Sequence, residues 1–324
     1  MEGVVDVYMR DILTQIGGFD LCVSEFVRVS QNLYPASVFY KYCPELRTGG
    51  KTAAGVPVHV QIMGGEASVM AENAAFVAEL GAPGIDINFG CPAKSVNRRD
   101  AGATLLQWPE RLYEIVSAVR RAVPPDIPVS AKMRLGFSEK NLALDNALAI
   151  AAAGAAKLTV HARTKLEGYK APAHWEYLRP IADALAIPVV ANGEIWTVQD
   201  YLRCREISGL KDVMIGRGAI ARPTLAREIV ALEQQGVENP AYDWPNVKGL
   251  LVTYHELLRD MSNPDRQAGR LKQWVKLLGR TYPESSELFT RVRRLQSPDH
   301  IAAELEHASL LSAESQDPKV GRCY

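Results

Sequence analysis

The sequence contains no Cys-x-x-Cys pair, no long apolar run and no excess of charge of either sign. Its five cysteines, Cys22, Cys43, Cys91, Cys204 and Cys323, are scattered and odd in number. That pattern argues against a disulfide framework, a zinc site or an iron–sulfur cluster, so no metal is expected. A membrane span needs about 20 consecutive apolar residues. None is present, and no signal peptide opens the chain, so the expectation is a soluble cytoplasmic protein without a membrane partner. Lys+Arg and Asp+Glu are equal at 37 each, so total charge gives no sign of a nucleic-acid partner, although a balanced total can conceal a local patch. A glycine-rich dinucleotide fingerprint after an early strand is also missing. Its absence weighs against a doubly wound open sheet, which stays as the alternative fold.

What is present is a recurring strand–helix pattern. Short β-branched runs occur at 19–26, 56–64, 84–90, 127–135, 157–163, 187–194 and 211–218. Between them, segments such as 67–82 and 109–123 carry apolar residues at helical spacing. Near-continuous apolar strands alternating with helices predict a parallel sheet covered by helices, an α/β (β/α)8 TIM barrel. The pattern supplies seven strands where a barrel has eight, and the chain opens on "MEGVVDVYMRDILTQ", a strand-end loop running into a helix. The expectation is a first strand cut away in front of Met1. After about residue 240 the strands stop, and consecutive helical segments predict a separate helical-bundle domain. The division expected is a barrel over 1–239, a helical domain over 240–308 and a polar tail over 309–324.

Chemistry in a barrel gathers where the strands end. The polar residues at those ends are Glu25, Gln61, Asn88, Cys91, Lys132, Arg134, His161, Arg163, Asn192 and Glu194, followed by Gly216-Arg217-Gly218. Any one of them alone is most simply a solvated loop residue; the set at successive strand ends is what points to a site. Gln61 offers a donor and an acceptor to an amide-like ring edge. Lys132 brings the positive charge that stabilises an electron-rich ring. Gly193, Gly216 and Gly218 leave backbone N–H groups open to an anion, and Arg217 adds charge. An amide-bearing ring plus a phosphate describes flavin mononucleotide (FMN).

The motifs "MEGV", "SEFVRV", "VQIMG", "NFGCP", "AGATLL", "AKMRLG", "VHART", "ANGEIW", "MIGRGA" and "RLKQW" span residues 1 to about 295. In this combination the chain resembles the tRNA-dihydrouridine synthases, and within them the bacterial subgroup acting at position 16. The resemblance implies FMN-dependent reduction of the C5=C6 bond of a D-loop uridine in tRNA, with NADPH or NADH as electron donor. It implies that Cys91 is the general acid that protonates C5. Flavin contacts carry over to Met1, Glu2, Gln61, Lys132, His161, Asn192, Gly193, Glu194, Gly216 and Arg217, with Arg163 as an addition near the phosphate. Contacts to tRNA carry over to Arg28, Asn88, Tyr169, Arg270, Lys272 and Arg293. A monomer is expected.

Two departures from the family pattern stand out. No Ala-Pro precedes the Met-Glu-Gly, and "NRRDAGATLL" replaces a more glycine-rich loop, placing Arg98 and Arg99 toward RNA phosphate or solvent. Between Arg266 and Arg294 eight basic residues face only Glu284 and Glu287, a patch that the neutral total hides. A solvated helix face is the plain reading of that charge; phosphate contacts are the functional one. Two rival functions follow from the same residues. One is a flavin barrel reducing a free pyrimidine, in the manner of dihydroorotate dehydrogenases, and the other is an RNA-binding barrel without catalysis.

Overall fold

A computed structural model describes residues 3–92, 101–237 and 240–305. Met1, Glu2, Arg98, Arg99 and the expected tail lie outside the described residues. The chain divides into two compact units, Met1–Ala219 with Leu225–Asn239, and Ile220–Thr224 with Pro240–Tyr324.

The first unit is a parallel α/β sheet of TIM-barrel type. Its strands are β1 (Cys22–Val23), β2 (Val27–Arg28), β3 (Val58–Met63), β4 (Ile85–Phe89), β5 (Val129–Arg134), β6 (Lys157–His161), β7 (Val189–Asn192) and β8 (Val213–Met214). β1 and β2 both pair with β3, so the first strand position is interrupted over Ser24–Phe26 and resumes at Val27, just past the predicted run 19–26. From β3 the order follows the chain to β8, with every pairing parallel. The seven strand positions are those read from the sequence. Among the described residues, no further strand pairs with the outer side of β1 or β8.

Period-two alternation gives each strand two chemically different faces. Ile85, Ile87 and Phe89 of β4, Val129, Ala131 and Met133 of β5, and Leu158 and Val160 of β6 belong to one apolar core. That core takes its other half from the helices: Met70, Ala74 and Val77 of Ala67–Glu79, and Leu112, Val116 and Val119 of Pro109–Ala122. Full burial of such a side chain contributes about 1.5–3 kcal/mol. The alternate positions are polar, and they build the site.

The second unit is helical, with helices Trp244–Leu258, Pro264–Leu278 and Pro283–Val292. Each begins with proline in its first turn, where the missing N–H is no loss. Asp243 and Asn263 cap the first two by accepting from the N–H groups of Asn246 and Arg266. At its centre Trp274 stacks edge-on against Tyr254, ring centroids 5.0 Å apart, and donates from Nε1 to the Ile220 carbonyl. No described helix is long and apolar enough to cross a membrane.

Candidate active site at the strand ends

Strand register brings the polar positions side by side. Gln61 pairs with Asp86, Asn88 with Lys132, Arg134 with His161, and His161 with Asn192. Residues scattered over some 130 sequence positions thus form one continuous row along the strand ends.

The row begins with linked amides. Gln61 donates from Nε2 to Asp86 Oδ2 at 2.7 Å and accepts at Oε1 from Asn88 Nδ2 at 2.8 Å. Asn88 Oδ1 then accepts from the backbone N–H groups of Gly90 and Cys91, at 2.8 and 2.6 Å. Asn88, three residues before Cys91, thereby ties down the loop that carries the thiol. Cys91 is half-buried and packs against Phe26, Met63 and Ala101. Its sulfur lies within electrostatic reach of Lys132 and Arg134. Arg134, 1% exposed, secures the same loop from the other side, donating from Nε to the Gly90 carbonyl at 2.6 Å. Its Nη1 reaches the carbonyls of Thr164 and Gly168, joining the β4 and β6 loops.

Lys132, on β5, is half-buried. Burial, and then the neighbouring Arg134, lower its pKa to about 8, against the favourable fields of Asp86 and Cys91. Among the described residues its ammonium has no hydrogen-bond or ion-pair partner. His161 is pushed well below its ordinary pKa by burial and by the charges of Lys132, Arg134, Arg163 and Arg217. It is therefore a neutral imidazole at physiological pH. Arg163 Nη1 lies 3.3 Å from His161 Nε2, and since a guanidinium can only donate, Nε2 accepts and the proton sits on Nδ1. That Nδ1–H has no described partner. The Lys132 ammonium and the His161 N–H, on one row with the guanidinium groups of Arg134, Arg163 and Arg217 nearby, fit an electron-rich, anionic cofactor such as a flavin phosphate.

Beyond β7 the chain is held in an unusual backbone geometry. Gly193 has φ +112°, and a Cβ there would meet the His161 ring at 2.8 Å. Glu194, at φ +62°, is the only non-glycine residue with positive φ among the described residues. Its carboxylate pairs with the buried Arg163 and accepts from Trp196 Nε1. Arg163 also donates to the Pro172 carbonyl, so its guanidinium has protein partners on several sides. Asn192 donates from Nδ2 to the Met214 carbonyl, and Trp175 donates from Nε1 to the Gly193 carbonyl. Gly216 precedes the short helix Arg217–Ala221. The Arg217 guanidinium lies 4.6 Å from the Tyr169 ring centre and 5.0 Å from that of Trp196. Arg134 meets Tyr169 at 5.2 Å. Tyr169, 54% exposed, is thus an aromatic plate set between two arginines at the edge of the row.

Gln61, Asn88, Lys132, His161 and Asn192 lie on neighbouring strands, with Cys91, Gly193, Glu194 and Arg217 on the segments that follow them; Tyr169, which only the resemblance marks, stands beside Arg134 and Arg217. Arg28 ends β2 and is half-buried. The remaining expected contacts belong to the helical unit. Arg270 and Lys272 are half-buried on helix Pro264–Leu278, and Arg293 is exposed where helix Pro283–Val292 ends. Lys272 donates to the Leu295 carbonyl at 2.8 Å.

Sequence reading passed over Asp86, Ser130, Trp175 and Trp196. For Asp86 a signal existed: it lies two residues before Asn88 in "IDINF", hence on the same face of the strand. Trp175 acts through an indole N–H whose target, the Gly193 carbonyl, lies on another loop, while Trp196 donates to Glu194 two residues before it, and no local pattern marks either. Among the described residues, no group of three or more His, Cys, Asp or Glu side chains is placed to hold a metal ion.

Comparison with known proteins agrees with this geometry. The family model described as "Dihydrouridine synthase (Dus)" matches residues 1–311. The tRNA-dihydrouridine(16) synthase of Pseudomonas syringae pv. tomato is 54% identical over 301 residues, covering 93% of this chain and 95% of that protein. The protein of the same name from Ralstonia nicotianae is 51% identical over 308 residues, 95% of this chain and 94% of its own. That of Neisseria meningitidis serogroup A is 46% identical over 302 residues, 93% and 90%. Among solved structures, histamine dehydrogenase from Rhizobium sp. 4-9 superposes with a TM-score of 0.52 at 14% identity. It covers 69% of this chain and 43% of its own length, a likeness of fold.

Proposed function

The chain belongs to the dihydrouridine synthase family and so reduces uridine to dihydrouridine in tRNA; we propose that it acts at position 16, using FMN and NADPH, with Cys91 as proton donor. The observation that carries this reading is the placement of the Cys91 thiol within electrostatic reach of Lys132 on a loop fixed by Asn88 and Arg134.

Saturating the C5=C6 bond requires a hydride at one carbon and a proton at the other. FMN, when bound and reduced, supplies the hydride that C6 accepts. Lys132 and the Nδ1–H of His161 are the groups that would hold the cofactor, with the N–H groups around Gly193 and Gly216 and the charge of Arg217 at its phosphate. Electron density gained at C6 builds negative charge on C5 and the adjoining carbonyl. Cys91 then gives its proton to C5, a role that suits a thiol whose ordinary pKa is about 8.5. Gln61 and Asn88 are the amides available to the uracil and flavin edges.

A stacked uridine must first be swung out of the tRNA, at a cost of a few kcal/mol. Tyr169, exposed between Arg134 and Arg217, offers a face on which a base or ribose can pack. The helical unit, with Arg270, Lys272 and Arg293, serves as the tRNA-recognition domain through phosphate contacts. Arg28 adds a contact from the barrel side.

The deciding experiment expresses the chain in a bacterial strain lacking position-16 dihydrouridine and maps the modification by reverse-transcription stops after alkaline treatment. Dihydrouridine restored at position 16 supports the reading; restoration at another position, or at none, overturns it.

A further inference from the structure

Between the thiol loop and the barrel floor, three buried side chains form one directed chain of hydrogen bonds, and its direction is set at both ends. Asn88 Oδ1 is committed to two backbone N–H groups, those of Gly90 and Cys91, which can only donate. The Asn88 amide therefore turns its Nδ2 on Gln61, and Gln61 must answer with Oε1. That leaves Gln61 Nε2 aimed at residue 86. Gln61 and Asp86 are 4% and 1% exposed, so no bulk water can replace a missing acceptor there.

Asp86 is that acceptor. Its Oδ2 takes the Gln61 N–H at 2.7 Å, and its Oδ1 takes the Ser130 hydroxyl at 2.7 Å. The Gln61 backbone N–H is separately held by Ser24 Oγ at 3.0 Å, so the side-chain amide hangs from a fixed point. Asp86 lies level with Gln61 and two residues before Asn88, inside β4 rather than at its end, so strand-end position does not single it out.

We propose that Asp86 is a positioning residue: by accepting from Gln61 it locks the Gln61 and Asn88 amides in one orientation and thereby holds the loop that presents Cys91. The proposal rests on the reading of Cys91 as proton donor for its catalytic consequence, but its structural half stands apart from that reading. Without an acceptor at residue 86, Gln61 gains by rotating away from its buried, unmatched position. Asn88 then loses Oε1, and the loop loses the partner that fixes its two N–H groups.

The test compares Asp86→Ala with Asp86→Asn in the full-length chain. Asparagine keeps a carbonyl oxygen for Gln61 Nε2, and Ser130 can turn its hydroxyl to the Ile85 carbonyl, already 3.4 Å away. Two quantities are read: the rate at which iodoacetamide alkylates Cys91, followed by peptide mass spectrometry, and the single-turnover rate of tRNA reduction. Asp86→Ala is expected to speed alkylation several-fold and slow reduction by roughly 10-fold or more, since misplacement on the order of 1 Å can cost about 100-fold. Asp86→Asn is expected to stay near wild type in both.

Should Asp86→Ala not fold, Asp86→Ser, whose hydroxyl is too short to reach Gln61, takes its place with the same expectation. Wild-type alkylation kinetics in the alanine or serine variant overturn the proposal. So does an asparagine variant as impaired as alanine, which would assign the effect to charge. A wild-type chain that forms no dihydrouridine defeats the functional reading instead, and the alkylation comparison still decides the role of Asp86.

Discussion

Arg134 and Gly90 are joined by a hydrogen bond of 2.6 Å from the guanidinium Nε to the carbonyl oxygen, one residue before the thiol of Cys91. The same guanidinium holds the Thr164 and Gly168 carbonyls and faces the Tyr169 ring. One buried side chain therefore sets both the loop of Cys91 and the loop of the exposed aromatic. Arg134→Lys keeps the charge but has neither the fork nor the reach to serve three carbonyls. It is expected to lower the single-turnover rate by roughly 10-fold to 100-fold, and a wild-type rate in stopped-flow would remove Arg134 from this role.

Cys91→Ala deletes the proposed proton donor and leaves Lys132 and His161 in place. The purified variant should be as yellow as wild type yet form dihydrouridine about 100- to 10,000-fold more slowly. Quantifying dihydrouridine by nucleoside mass spectrometry checks this; an undiminished rate would exclude the thiol.

Lys132 makes folding depend on pH in a stated direction. Its folded pKa of about 8 lies below the 10.5 of an ordinary lysine, so between these values the unfolded chain binds more protons. Stability contributed at this position therefore rises with pH through that window. Below about pH 8 the lysine is charged in both states, and its burial costs roughly 3 kcal/mol. Urea unfolding of the flavin-free protein should show wild type gaining on Lys132→Met by about that amount between pH 8 and 10.5. A constant difference across the window would mean that the ammonium is not desolvated. The same variant should retain less flavin.

Gly193→Ala tests the backbone beside His161. At φ +112°, with a new Cβ 2.8 Å from the ring, either the chain or the imidazole must shift. The expected cost is about 1–3 kcal/mol of stability, together with weaker flavin retention. Thermal unfolding and the flavin-to-protein absorbance ratio report the two effects.

Arg270→Glu with Lys272→Glu reverses charge in the helical unit alone. Binding to tRNA should be abolished in a gel shift at moderate salt while the flavin stays in place. Neutral Arg270→Gln should weaken binding and reduce the salt slope by about 0.7–1. Normal affinity in the doubly reversed variant would move recognition elsewhere.

Much of this site is legible before folding because strand ends and period two are local properties. Lys132 and Arg134 in "AKMR", or Asn88 in "IDINF", can be assigned to one face of a strand from neighbours alone. Arg217 lies three residues past β8, at the start of helix Arg217–Ala221, so only its position after a strand marks it and not a strand face. Tyr169 is different: its resemblance to a family position marks it, but its setting between Arg134 and Arg217 comes from loops more than 30 residues apart in sequence. The split of the first strand over Ser24–Phe26 was likewise not visible, because an apolar run does not reveal where its ladder is interrupted.

The amino-acid order by itself determined the march of parallel strands, the face each side chain takes and the family to which the chain belongs. Alternating apolar and polar residues leave one way to bury the former, and that choice orders the latter into a row. Only the tertiary structure decided who partners whom: that Asp86 receives Gln61, that Asn88 spends its oxygen on the amides of Gly90 and Cys91, and that Arg134 closes on the Gly90 carbonyl. Hydrogen bonds across neighbouring strands depend on register and distance in space, and neither is written in the residues on one strand.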